Sequence, residues 1–235
     1  MNNLEHVLRI PRVGVEHEYR WVMGADSSAD AAAHDTLRDQ LVRMSGLRLS
    51  DQAVVSQHTL CFDDTGWSLS SADCSLTMLV NTNRGPSWLV AKETVQWVDG
   101  RRDVLEMTEY VPDAKNLAGA EVIAGRPGQY LSRRVPTLGH LRVFGYLSQR
   151  RTKAALLTEG GALIAVSCDA VELRDPTSRP VDAFVVVELE ANQASRVDLA
   201  VLADVAETFS SHFELPAAQA TKPQLAAARL GWTRS

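Results

Sequence analysis

Val15-Glu16-His17-Glu18-Tyr19-Arg20-Trp21 alternates with period two, as a β-strand does. Glu16, Glu18 and Arg20 fall on one face, and Val15, His17, Tyr19 and Trp21 on the other. Taken alone, the segment reads as a strand with a solvated charged face. A second segment near the other end has the same design. Phe184-Val185-Val186-Val187-Glu188-Leu189-Glu190 sets two acids at the same spacing in a β-branched run. If the two strands pair inside one closed sheet, four carboxylates converge. Such a cluster is tolerable only with bound cations or basic side chains beside it.

The rest of the chain bounds what such a cluster can belong to. With 235 residues, 45% apolar and 23% charged, it has the make-up of a globular protein. The net charge of −5 gives no sign of a general nucleic-acid or membrane surface, although it does not report a local basic tunnel. Cys61, Cys74 and Cys168 form no CxxC pair, which points to a reducing compartment rather than a disulfide framework or zinc knuckle. No apolar signal core and no membrane-length apolar run is present, so a cytoplasmic location is expected.

Strands are expected over 13–22, 54–63 and 74–81, at Trp88 to Lys92, from Arg101, over 147–152 and 163–169, and at the second acidic segment. Gly85-Pro86, Asp99-Gly100 and Glu159-Gly160-Gly161 mark hairpins. Residues 29–45 read as a helix between Ser28 and Gly46, and 197–213 as an apolar-striped helix. Residues 113–137 read as a connection with a short helical piece. Thr221-Lys222-Pro223 opens a last short helix. With no internal repeat and no linker, residues 1–235 are expected to form one domain. Its class is α+β: a closed eight-stranded antiparallel β-barrel with helices packed outside.

Glu16-x-Glu18-x-Arg20 resembles the ExExK signature of the CYTH superfamily, the triphosphate tunnel metalloenzymes, with Arg in place of the final Lys. The resemblance runs over roughly residues 12–222. Phe62-Asp63-Asp64-Thr65, Leu69 and Ser75-Leu76 are similar to the stretch YxDT…L…SLRxR, although Asp64 and Thr65 alone read as turn formers. Trp88-Leu89-Val90-Ala91-Lys92 resembles WxLTLK, which makes Lys92 a phosphate-binding residue; on its own it reads as a solvated strand lysine. Arg102, Arg150 and Arg151 are carried over as basic residues, and Asp169 as the acid that ends a strand. Asp169 alone reads equally as a strand-end cap; Thr221-Lys222 resembles a Ser-Lys or Thr-Lys that several family members carry, although Lys222 alone reads as a plain helix start.

The resemblance implies a lumen in which Glu16, Glu18, Asp169, Glu188 and Glu190 hold Mg²⁺ or Mn²⁺. Arg20, Lys92, Arg102, Arg150 and Arg151 would bind the phosphates of a small triphosphorylated substrate. Glu16, Glu18, Glu188 and Glu190 would serve catalysis. The implied activity is metal-dependent hydrolysis of inorganic triphosphate or a small organic triphosphate. Adenylyl cyclase on the same fold is an alternative. A non-catalytic module binding a phosphorylated ligand or a protein is another, because Thr77 and Leu79 stand where SLRxR has arginines. His17 falls on the opposite strand face from the acids. No nucleic-acid or membrane partner is expected, and no GxxxxGK[ST], GxSxG or HExxH motif is present.

Overall fold

The computed structural model describes residues 12–24, 39–40, 43, 47–49, 53–81, 87–111, 119–157, 163–192 and 196–233. The lead-in before Arg12, the turn after Gly24 and the Gly85-Pro86 and Glu159–Gly161 turns lie outside these residues. So does most of the 29–45 helix, of which Asp39, Gln40 and Arg43 are described and helical.

The strands in chain order are β1 (Arg12–Gly24), β2 (Arg48–Leu49), β3 (Ala53–Asp63), β4 (Cys74–Asn81), β5 (Ser87–Val98), β6 (Arg101–Val111), β7 (Arg142–Leu157), β8 (Leu163–Arg174) and β9 (Pro180–Asn192). They run side by side as β7-β3-β4-β5-β6-β1-β9-β8, and β8 pairs back onto β7. Every pairing is antiparallel. The eight long strands therefore close into a barrel, with β2 added beside the end of β7. Closure leaves no free edge among the long strands. Asp99 and Gly100 join β5 to β6 with φ of 49° and 79°. Both lie in the left-handed region that a two-residue hairpin of this hand requires.

Period-two alternation sorts the apolar residues. Tyr19, Trp21, Val166, Cys168, Val187 and Leu189 face outward and are covered by α4 (Arg196–Phe213) through Leu202, Val205, Ala206 and Phe209. Trp21 is fully buried there, 4.5 Å from the Phe209 ring, and its indole N–H donates to Ser210 at 2.9 Å. On the opposite outer wall, Leu76, Met78, Leu89 and Ala91 pack under Val122 and Leu131. These two come from α2 (Gly119–Ala124) and α3 (Arg126–Arg134), so the expected connection over 113–137 holds two helical segments. A Cβ at Gly128 would lie 2.4 Å from the Val122 carbonyl oxygen, so only glycine permits the close step between them.

The barrel ends differ. A short helix, α1 (Ser68–Ser71), and the last helix, α5 (Lys222–Arg229), sit at the end where β3 leads into β4. Ala226, Ala227 and Trp232 cover the inward residues Val171, Leu173, Phe184 and Val186 there. Gln224 anchors the helix to Ser70 and Asp73. Thr221 and Gln224 form a reciprocal capping box, which fixes where α5 begins. The interior is thus apolar and plugged at one end, charged in the middle and accessible from the other. Among the described residues no helix is long and apolar enough to cross a membrane.

Candidate active site

The inward face of β1 carries Glu16, Glu18 and Arg20, all buried. The inward face of β9 carries Glu188 and Glu190, and register pairs Glu18 with Glu190 and Arg20 with Glu188. Lys92 from β5, Arg102 and Glu106 from β6, Arg151 and Lys153 from β7 and Lys222 from α5 complete the charged lining. The enclosed part of this lumen has a volume of about 300 Å³.

The charges divide into two groups. Glu16, Glu18 and Glu190 each present an oxygen within 4.8 Å of the others. Lys92 pairs with Glu16, and lies 3.0 Å from Glu106 and 3.9 Å from Glu18. Arg102 donates to Glu18 at 2.8 Å and to the Thr94 hydroxyl at 2.8 Å. In the second group Glu188 accepts from Arg20 Nε at 2.6 Å and from Lys222 at 2.7 Å. Arg151 donates to Asp169 at 2.9 Å, and Lys222 pairs with Asp169 as well. The expected set of five metal-facing carboxylates is therefore split. Glu16, Glu18 and Glu190 cluster with Lys92 and Arg102 beside them, while Asp169 and Glu188 lie in the second group with Arg20, Arg151 and Lys222.

Local electrostatics differ accordingly. Burial pushes the Glu16 carboxyl up to about 8, with Lys92 opposing and Glu106 and Glu190 reinforcing. Burial acts on Glu18 in the same sense, but Arg20, Lys92 and Arg102 together outweigh it and bring Glu18 down to about 2. Glu188 also lies well below the usual carboxylate range, because Lys222, Arg20 and Arg151 overcome its burial. Partial desolvation lowers Lys153, although the residue as a whole is exposed, and the nearby cations Arg151 and Lys222 lower it further. Lys153 makes no ion pair among the described residues. The Arg102 Nη2 is buried without a hydrogen-bond partner among them. A buried guanidinium nitrogen that lacks a hydrogen-bond partner is suited to an anionic oxygen. The Glu16, Glu18 and Glu190 donors are hard carboxylate oxygens, and Glu16 is raised by burial, with its like-charged neighbours adding to it. This set fits a hard divalent cation such as Mg²⁺ or Mn²⁺.

Arg150 sits one residue out of phase with Arg151, and its side chain is exposed on the barrel exterior. It does not join the lumen. Lys222, which reads as a helix start, is buried between Asp169 and Glu188. Glu106 escaped the sequence reading because the spacing of Glu106 and Glu109 mixes the two faces of β6. Its separation of four from Arg102 was the available signal. Thr77 and Leu79 do face the lumen, so β4 offers it no base. Asp64 accepts from the backbone of Gly66, Ser68 and Gly139, as a turn former does. His17 points outward, to Asp103 at 2.7 Å.

No family model matches the chain, and no curated protein matches it by sequence. Solved structures do match. A candidate adenylyl cyclase from Hippeastrum, described as having a dominant triphosphatase activity, superposes with a TM-score of 0.58 at 17% identity, over 91% of this chain and 95% of its own. A candidate adenylate cyclase from Bacillus halodurans superposes with a TM-score of 0.52 at 15% identity, over 84% of this chain and 91% of its own. At these identities the likeness is one of fold. The closed eight-stranded antiparallel barrel is the fold the chain shares with these proteins.

Proposed function

We propose that the lumen hydrolyses a triphosphate-containing substrate with the help of Mg²⁺ or Mn²⁺. One observation carries the reading: three carboxylates within 4.8 Å of one another lie beside Lys92 and Arg102 in a single buried lumen. Acids that hold a hard cation and bases that hold phosphate oxygens are the two parts phosphoryl transfer needs.

In this reading Glu16, Glu18 and Glu190 hold the cation, which when bound neutralises phosphate charge and lowers the pKa of water. Arg102, with its free Nη2, and Lys92 bind phosphate oxygens from the β5–β6 wall. Arg151 and Lys153 bind them from β7. Arg20 is held on Glu18, Glu188 and the Ala220 carbonyl, and acts mainly by fixing both acidic strands. Lys222, paired with Asp169, holds Glu188 from the plugged end. The Hippeastrum protein's described triphosphatase activity, on the same fold, is consistent with this reading.

A binding module is the second reading, and the absence of a base on inward β4 favours it. A phosphate-release screen with inorganic triphosphate, nucleoside triphosphates and thiamine triphosphate, each with Mg²⁺ and Mn²⁺, separates the two. Metal-dependent release from at least one substrate supports the enzyme. Ligand binding without release from any supports the module.

A further inference from the structure

A groove of about 470 Å³ lies on the outside of the barrel, a size within the roughly 300–1,000 Å³ of small-molecule sites. One side is α4, another is the Asp99-Gly100 hairpin between β5 and β6, and a third is the segment from Pro216 to Gln219. Tyr19 joins them from the barrel wall. It points outward from β1, between Glu18 and Arg20, which point inward. No residue that lines the groove lines the lumen. Direct contacts hold the sides in place. A Cβ at Gly100 would lie 3.0 Å from the Cβ of Ala217, so the hairpin packs against the segment. The Ala218 N–H donates to the Arg20 carbonyl at 2.7 Å, which ties the segment to β1.

The polar groups of the groove are of one kind. Asp99 and Glu207 are exposed, and neither makes an ion pair among the described residues. Tyr19 is 7% exposed, and its hydroxyl has no hydrogen-bond partner among them. No lysine, arginine or histidine of the described residues lines the groove. Arg101, beside the hairpin, is taken up by Asp103, to which it donates at 2.8 Å. Two carboxylates and a phenol oxygen without a base among them suit a cation that brings its own hydrogen-bond donors. A bare metal ion fits poorly, because it needs several converging oxygens. Among the described residues the one group of three metal-competent side chains is Glu16, Glu18 and Glu190 in the lumen. The other walls are small and apolar. Ala203 stands one helical turn before Glu207 on the same face of α4, with Ala217 on the segment. They leave room for an alkyl stem.

We propose that this groove binds a small organic cation, an alkyl amine or guanidine. Its stem lies along Ala203 and Ala217, and its N–H groups donate to the Tyr19 hydroxyl and to the carboxylates of Asp99 and Glu207. The site is independent of the triphosphatase reading and stands or falls without it.

The test is calorimetry at low ionic strength with butane-1,4-diamine and agmatine, and with butane-1,4-diol as a neutral ligand of the same length. The proteins are the wild type, the double variant Asp99→Asn/Glu207→Gln, Ala203→Leu and the lumen variant Glu190→Gln. Asp99 has φ of 49°, a conformation that asparagine also adopts, and thermal unfolding confirms that each variant folds. At least one of the two cations is expected to bind the wild type about tenfold or more tighter than the diol. The double variant, which removes two exposed charges, should weaken that binding by about fivefold or more. Ala203→Leu fills the groove and should weaken it at least as much, while Glu190→Gln leaves it unchanged. No binding of either cation overturns the proposal, and so does a diol that binds as well. Binding that the double variant and Ala203→Leu leave unmoved, or that Glu190→Gln removes, also overturns it, the latter by assigning the cation to the lumen.

Discussion

The ammonium of Lys222 lies 2.7 Å from the carboxylate of Glu188, although the two belong to the last helix and the last barrel strand. This contact ties the helix that plugs the barrel to the charged layer of its lumen. The capping box at Thr221 sets the first residue of the helix, and the first residue is the lysine.

Lys222→Met removes that tie while keeping the aliphatic stem. Glu188 retains Arg20 and Arg151, and Asp169 retains Arg151. The loss is therefore expected at about 2–3 kcal/mol, below the roughly 3–5 kcal/mol of a buried charge left with no partner. Urea unfolding measures it. A change within error of zero would show that Lys222 is not a structural member of the lumen.

Cation binding should stabilise the fold, since Glu16, Glu18 and Glu190 crowd one another. At a free Mn²⁺ concentration about a hundred times Kd the gain is about 2.7 kcal/mol. For a chain of this size each kcal/mol moves Tm by about 2–4 °C. Glu190→Gln should shrink the Mn²⁺-induced shift by at least half, as read by scanning calorimetry. An equal shift in both proteins would place the ion elsewhere.

Asp103, on the outer face, provides a pH probe independent of the lumen. Its burial would raise the carboxyl, but Arg101, His17 and Gln96 outweigh this and hold it at about 2 against an ordinary 3.8. A depressed carboxyl stabilises the fold above its unfolded pKa, and that contribution is lost as pH falls from about 3.8 towards 2. Asp103→Asn should flatten the acid limb of the stability curve in that window and lower stability at neutral pH. An acid limb of the same steepness in both proteins would assign acid lability to other carboxylates.

Much of the barrel was legible because period two carries both its parts. The outward Tyr19, Trp21, Val187 and Leu189 bury under α4, while the inward Glu16, Glu18, Glu188 and Glu190 share the lumen. Alternation within a strand gives the face of each side chain; Lys92, Arg102 and Arg151, expected from the resemblance, line the lumen. Alternation does not give register across the barrel, which is what separates Asp169 and Glu188 from the Glu16 cluster. Nor could it find Lys222, whose position depends on where a distant helix docks. Arg150 shows the opposite error: read by resemblance as one of a pair, it is carried outward by the same alternation.

Thr77→Arg tests what β4 lacks. Thr77 is buried and faces the lumen beside Val90, its register partner. An added guanidinium there should raise kcat/KM for inorganic triphosphate by at least about tenfold, roughly 1.4 kcal/mol of transition-state stabilisation. No gain in a folded variant would show that Arg102, Arg151 and the lumen lysines already complete the phosphate site.

Metal-dependent hydrolysis at the Glu16, Glu18 and Glu190 cluster is read directly from the turnover rate with saturating Mn²⁺ and triphosphate substrate for the wild type and the near-isosteric Glu18→Gln, with a chelator control. Turnover should be abolished by the chelator and lowered by Glu18→Gln about a hundredfold or more, on the scale of losing one preorganised electrostatic group. Turnover that persists in the chelator, or that Glu18→Gln leaves unchanged, would contradict it.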